Sequence, residues 1–203
     1  MRRQKGSLFI VSAPSGAGKT TLCRLLTVQV EGITHIVSHT TRPPRDGEIN
    51  DRDYTFIKRD AFVRMKEDGE FIEWAEVHGN LYGTSRRRLE DTLNRGIDAI
   101  HDIDTQGAAQ MRRNFRDGVY IFVLPPSMDA LRKRLETRMS DSPAGIEQRI
   151  KRAIEEIREY RNYDYVIVND IIEEALRELM SVIIAERVRK DKVDPRWIEE
   201  FII

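Results

Sequence analysis

The chain of 203 residues has one cysteine, Cys23, so no intrachain disulfide can form, and a reducing cytosol is the expected compartment. It has no excess of charge of either sign, since Lys plus Arg and Asp plus Glu number 34 each. A general nucleic-acid binder would carry a basic surplus, so that class is set aside, although arginines can still cluster locally. No apolar run approaches the ~20 residues that cross a membrane. Met1-Arg2-Arg3-Gln4-Lys5 is basic, but the apolar stretch after it, Leu8 to Val11, is too short for a signal-peptide core and reads as a buried strand. Internal repeats and low-complexity segments are missing too. What is there, 40 % apolar and 33 % charged residues, suits one compact α/β domain with a small inserted lobe and no obligate protein partner.

Short apolar runs alternate with helical patterns. Leu8–Val11 reads as a strand covered on both faces, and Ile97–Ile103, Val119–Leu124 and Tyr165–Val168 are further strand candidates. Thr20 to Val30 has helical spacing, with Leu22, Leu25, Leu26 and Val30 on one stripe. Further helices are expected at roughly 85–95, 127–138, 146–161 and 171–190. This alternation implies βαβ units and a parallel sheet, with a core from 1–35 and 85–203. Residues 36–84 break the rhythm. Pro43, Pro44 and Gly47 exclude a helix or central strand there, and Tyr54–Ile57 and Phe71–Trp74 look like short strands of a small, partly β lobe. Met139 to Gly145 interrupts two arginine-rich helices, which marks a helical lid at about 134–150. The apolar residues Trp197, Phe201, Ile202 and Ile203 after Lys190 are expected to dock on an apolar edge.

The segment Ala13-Pro14-Ser15-Gly16-Ala17-Gly18-Lys19-Thr20 lies between a strand and a helix, which is the context a P-loop requires. Glycines let the backbone curl so that N–H groups point at phosphate oxygens, and the helix start adds its positive dipole end. Lys19 would reach the β- and γ-phosphates of ATP, and the Thr20 hydroxyl can ligate Mg²⁺. Ala13 stands where the general pattern has glycine, which is acceptable at negative φ. Asp102 and Asp104 close the strand beside this loop, one suited to a Mg²⁺-bound water and the other, Asp104 first, to capping the next helix.

The remaining motifs suggest a second phosphorylated substrate. Arg42 and Arg45 lie three residues apart on a proline-stiffened loop and can hold a phosphate dianion, with Tyr54 and Tyr82 as phenolic donors. Glu73 lies in the apolar run Phe71–Trp74. Strand alternation alone would turn it to solvent, whereas a buried carboxylate could accept from the N1–H and N2–H₂ of guanine. Ser38 or Thr84 could then donate to O6. Arg134 and Arg138 share a helix face, and Arg149 and Arg152 follow on the next helix. Glu136, Glu155 and Glu156 interleave with them, as on a solvated charged helix, while the arginines also suit a lid that swings onto a transferring phosphoryl group.

From Ser7 to about Arg189 the chain resembles bacterial-type guanylate kinases. The resemblance rests on the P-loop, Ser38–Arg45 with Gly47-Glu48, Phe71-Ile72-Glu73 with Gly79 and Tyr82-Gly83-Thr84, Asp102–Asp104 with Gln106-Gly107, and Val166–Asp170. It implies a P-loop core, a lobe for GMP or dGMP, a lid, and the reaction ATP + GMP ⇌ ADP + GDP with Mg²⁺. By position, Ser38, Arg42, Arg45, Tyr54, Glu73, Tyr82 and Thr84, together with Asp104, match the acceptor site. Arg134, Arg138 and Arg149 match the lid arginines, and Asn169, followed by Asp170, matches a residue near the adenine. Arg138 is followed by Met139 where the family often has glycine. Two other readings use the same cradle. A kinase acting on ribose 1,5-bisphosphate would have no reason to keep Ser38, Glu73 and Thr84, and a catalytically dead phosphopeptide-binding module would have lost P-loop or lid residues.

Overall fold

The computed structural model describes residues 5–77, 79–137 and 143–202. Arg138 and the segment 139–142 of the expected lid interruption lie outside them, as does Ile203. The main sheet is parallel, in the order β2 (Ile33–His35), β7 (Asp98–Asp102), β1 (Leu8–Ser12), β8 (Gly118–Leu124) and β9 (Tyr165–Val168). β1 lies in its centre with every residue buried, and this accounts for its unbroken apolar run.

Alternation along β1 divides the core in two. Phe9 and Val11 pack on one face with Leu22, Cys23 and Leu26 of α1 (Lys19–Gln29) and Leu176, Leu179 and Ile183 of α7 (Ile172–Arg187). Leu8 and Ile10 pack on the other with Leu89 and Leu93 of α3 (Arg86–Asn94) and Met111 of α4 (Thr105–Asn114). Cys23 is fully buried and burial pushes its thiol well above the ordinary range, so the lone cysteine is an inert core residue. Leu25, expected on the buried stripe of α1, is instead 36 % exposed, because the buried face runs through Leu22, Cys23 and Leu26.

A second sheet has the order β4 (Thr55–Phe56), β3 (His39–Thr40), β6 (Asn80–Ser85), β5 (Phe71–Val77), with α2 (Arg59–Glu67) packed on β5. The antiparallel β5–β6 pair has a bulge between Phe71 and Glu73, after which Glu73 stands opposite Thr84. The bulge puts Phe71 and Glu73 on opposite faces of β5, and both faces are covered here, so Phe71, Ile72 and Glu73 are all buried. α4 also packs on β5, tying the two sheets together, and Trp74 N–H donates to the Gln110 side chain.

α5 (Met128–Thr137) and α6 (Pro143–Arg158) share a small core of Leu131, Leu135, Ile150 and Ala153. α6 starts before the expected residue 146, at a proline, where the missing N–H breaks no helical bond. The C-terminal segment does not bury its apolar end. Trp197 of α8 (Pro195–Glu199) makes an edge contact with Phe201, but Phe201 and Ile202 are 71 % and 77 % exposed.

Candidate active site

The parallel register brings the carboxyl ends of β1 and β7 to one edge, with Val11 beside Asp102. The chain leaving β1 turns through Gly16 and Gly18, at φ 96° and 93°, where a side chain would be strained. Ala17 N–H closes the turn onto the Pro14 carbonyl at 3.1 Å. α1 then starts with no side-chain cap and no acidic residue in its first turn, so its leading N–H groups and positive end are left for an anion. Ala13, as expected, fits the loop without positive φ and is buried. The loop lines a cavity of about 260 Å³ that includes Lys19 and Thr20 and is flanked by Asp104 and Glu156.

Asn169, expected near the adenine, braces this loop. It is buried, and its Nδ2 donates to the Ala17 carbonyl at 2.7 Å. A Cβ on Gly18 would lie 2.3 Å from that Nδ2. Gly18→Ala therefore combines left-handed strain with a collision. It is expected to lower stability by about 1–3 kcal/mol and to weaken nucleotide binding; an unchanged urea midpoint with unchanged ATP binding would contradict this. Asp170 is exposed beside Asn169.

Asp102 is the junction of the site. Its Oδ2 accepts from the Thr20 hydroxyl at 2.7 Å, and its Oδ1 lies 2.6 Å from His35 Nε2. Burial acts to raise this carboxyl, but the bond with His35, the Lys19 charge and the Thr20 hydroxyl outweigh it and hold the group well below the usual carboxylate range. Asp104 does what its cap position suggested: its Oδ1 accepts the Gly107 N–H at 2.7 Å at the start of α4.

A cavity of about 430 Å³ adjoins Thr20 and Asp102 and reaches into the small lobe, lined by Ser38, Tyr54, His35 and His101 among others. Tyr54 meets Tyr82 edge-on, with ring centres 5.9 Å apart. Glu73 and Thr84 are both buried. The Thr84 hydroxyl donates to Glu73 Oε1 at 2.6 Å and lies 2.8 Å from His101 Nε2, so the pair reaches the cavity wall through His101. In this arrangement the single Thr84 proton is directed to Glu73.

Arg42 is paired within the loop. Glu48 holds its guanidinium in a two-pronged pair at 2.9 and 2.8 Å, with Tyr54 and Phe56 alongside. The Arg42 bonds, reinforced by the Arg45 N–H, pull the Glu48 carboxyl down to about 2. The pair thus persists above the ordinary carboxylate range and is lost only as pH falls through about 2. Arg45 is exposed at the tip of the same loop.

From the expected lid, Arg149 donates to Ser15 Oγ at 2.9 Å and so reaches the loop, whereas Arg134 donates to the Asn169 carbonyl at 2.9 Å and so braces the region behind it. Arg132 and Glu147 pair across α5 and α6. Glu156 is not on a solvated face. It stands half-buried on the wall of the loop's cavity, where burial, reinforced by Asp104, pushes its carboxyl up against the pull of the Ser15 N–H. His35 and His101 are members of the site that motif reasoning missed, Glu156 reads from sequence as part of a solvated helix face, and Glu48 falls within a quoted motif without a role of its own. The two histidines had a faint signal, a polar residue at the end of an apolar strand pattern.

The chain matches the family model described as guanylate kinase over residues 5–186. A guanylate kinase of Geobacter sulfurreducens is 56 % identical over 191 residues, which make up 94 % of each chain. One from Geobacter metallireducens is 53 % identical over 98 % of each chain. The crystal structure of guanylate kinase from Anaplasma phagocytophilum has a TM-score of 0.77 at 38 % identity, covering 95 % of this chain and 92 % of that one. A glycine-turned anion cradle joined through Asp102 to a second polar cavity is what such an enzyme needs, and with this full-length likeness the chain belongs to the guanylate kinase family.

Proposed function

We propose that the protein transfers the γ-phosphoryl group of ATP to GMP, giving ADP and GDP, with Mg²⁺. The observation that carries this reading is the meeting of the two cavities at Thr20, whose hydroxyl is bonded to Asp102, with the buried carboxylate of Glu73 set behind the second. Under it, residues 36–84 form the GMP lobe, 1–35 and 85–203 the core, and about 134–150 the lid. No helix among the described residues is long and apolar enough to cross a membrane.

The mechanism needs no general base, because the phosphate of GMP is already ionised near neutral pH. The work is to bring two anions together in line and offset their repulsion. Lys19 and the α1 N-terminus take the ATP phosphates, Arg42 and Arg45 the GMP phosphate, and Arg149 reaches the loop from the lid. Arg42 is already oriented by Glu48, so its cost of ordering on binding is reduced. The Thr20 hydroxyl and Asp102 carboxylate, hard oxygen donors in direct contact, suit Mg²⁺ held otherwise by water and phosphate oxygens. When bound, that ion supplies positive charge at the phosphates. Closure of the lid would exclude water, which would otherwise hydrolyse ATP.

Base choice is assigned to Glu73, and the experiment is Glu73→Gln. Thr84 pins Oε1, so the glutamine NH₂ takes the Oε2 side and meets the guanine donors with another donor. Losing a hydrogen bond to a charged group costs about 1.5–3 kcal/mol, roughly ten- to hundredfold in binding. The expected result is a fall in kcat/KM for GMP by that factor and a narrower GMP/AMP ratio. Arg45→Ala should weaken GMP with the ratio intact. A Glu73→Gln enzyme with the wild-type ratio would remove Glu73 from base recognition.

A further inference from the structure

Resting on that reading, we infer that His101 is a specificity-determining positioning residue, which fixes the direction of the hydrogen-bond chain that orients Glu73 toward the base. A hydroxyl has one proton, and the Thr84 oxygen has two close neighbours, Glu73 Oε1 at 2.6 Å and His101 Nε2 at 2.8 Å. An ionised carboxylate can only accept, so the Thr84 proton lies toward Glu73 and His101 must donate its Nε2–H to Thr84. The opposite tautomer would take the Thr84 proton to His101 and leave two oxygens facing each other at 2.6 Å with no proton between them. Water cannot relieve such a clash, since Thr84, His101 and Glu73 are 0 %, 2 % and 6 % exposed.

Two consequences follow for the acceptor cavity. Glu73 Oε1 is held by Thr84, so Oε2 is the oxygen left to accept from a base. Thr84 has no proton left to donate, so the donor to guanine O6 is Ser38, which lines the cavity with His101. The anchor of the chain is rigid: His101 lies in β7, paired in register with Ile10 of the central strand, while Glu73 and Thr84 belong to the other sheet. His101 therefore references the base reader to the core. Its Nδ1 is buried with no partner among the described residues, so the ring's fixed hydrogen bond is the one to Thr84.

The test is steady-state kinetics of wild type, His101→Leu and His101→Gln with ATP and either GMP or AMP. Leucine removes the donor at similar size, while glutamine carries an N–H to about the place of Nε2. His101→Leu is expected to raise KM for GMP about tenfold and narrow the GMP/AMP ratio, with KM for ATP unchanged and kcat within about twofold; His101→Gln should recover most of the loss. The inference falls if His101→Leu keeps the wild-type ratio, if KM for ATP and kcat worsen in parallel as for general loosening, or if glutamine recovers nothing. A wild-type enzyme that does not prefer GMP would overturn the underlying reading as well. A wild-type preference that survives His101→Leu would overturn this inference alone.

Discussion

Lys19→Ala is expected to abolish measurable phosphoryl transfer in a protein that remains folded. Lys19 opens α1 at the mouth of the cradle and is partly exposed, so its removal leaves no hole in the core. Its charge is within reach of Asp102 and Glu156, at the centre of the site. A preorganised donor aimed at charge that develops in the transition state typically contributes about 10²–10³-fold to kcat, and here that donor carries a full charge beside a triphosphate. The loss should therefore be at least of that order. A coupled ADP-release assay reads it, with thermal unfolding by circular dichroism as the control. A variant with a wild-type melting curve and near wild-type turnover would refute the cradle as the phosphate site.

Removal of divalent metal should have a comparable effect and should be reversible. Among the described residues no three His, Cys, Asp or Glu groups are placed to hold a metal by themselves. The Thr20–Asp102 pair can contribute only part of a coordination shell, with nucleotide phosphates and water completing it. EDTA is thus expected to stop GDP formation, and excess Mg²⁺ to restore it fully, without a change in the fold. Asp102→Asn should raise the Mg²⁺ concentration needed for half-maximal rate, because the amide is neutral and the His35 and Thr20 bonds must rearrange around it. Undiminished activity in EDTA would exclude metal assistance.

The readable parts of this protein are those in which local chemistry and tertiary context agree. The P-loop is legible because each requirement is local: glycine where φ is positive, a lysine and threonine at a helix start, an apolar strand before it. The apolar pattern places β9 to the residue and β1 and β8 to within one; β1 and β8 are continuously apolar because both their faces are buried, whereas β9 is an edge strand whose Val166 and Val168 stay 45 % and 49 % exposed. The lobe was legible as an interruption but not as a sheet. Its strands β3 and β4 are two residues each, and the pairing of β4 with β3 and of β3 with β6 is a matter of long-range register.

Several site roles depended on distances that spacing does not encode. Glu73 as a lone letter favours a solvent-facing strand position, but both faces of β5 are covered where it stands, so it is buried. Arg42 looked free until its carboxylate partner, six residues away, was brought back by the proline turn. Asn169 and Ala17 are 152 residues apart in the chain and 2.7 Å apart in the fold. The sequence by itself determined where the main strands run and which family the chain resembles, since those depend on backbone conformation, periodicity and residue chemistry. Only the tertiary structure decided which of the polar groups are already committed to one another, because each hydrogen-bonding partner is settled by packing across the sheet, and a buried proton can be given to only one acceptor at a time.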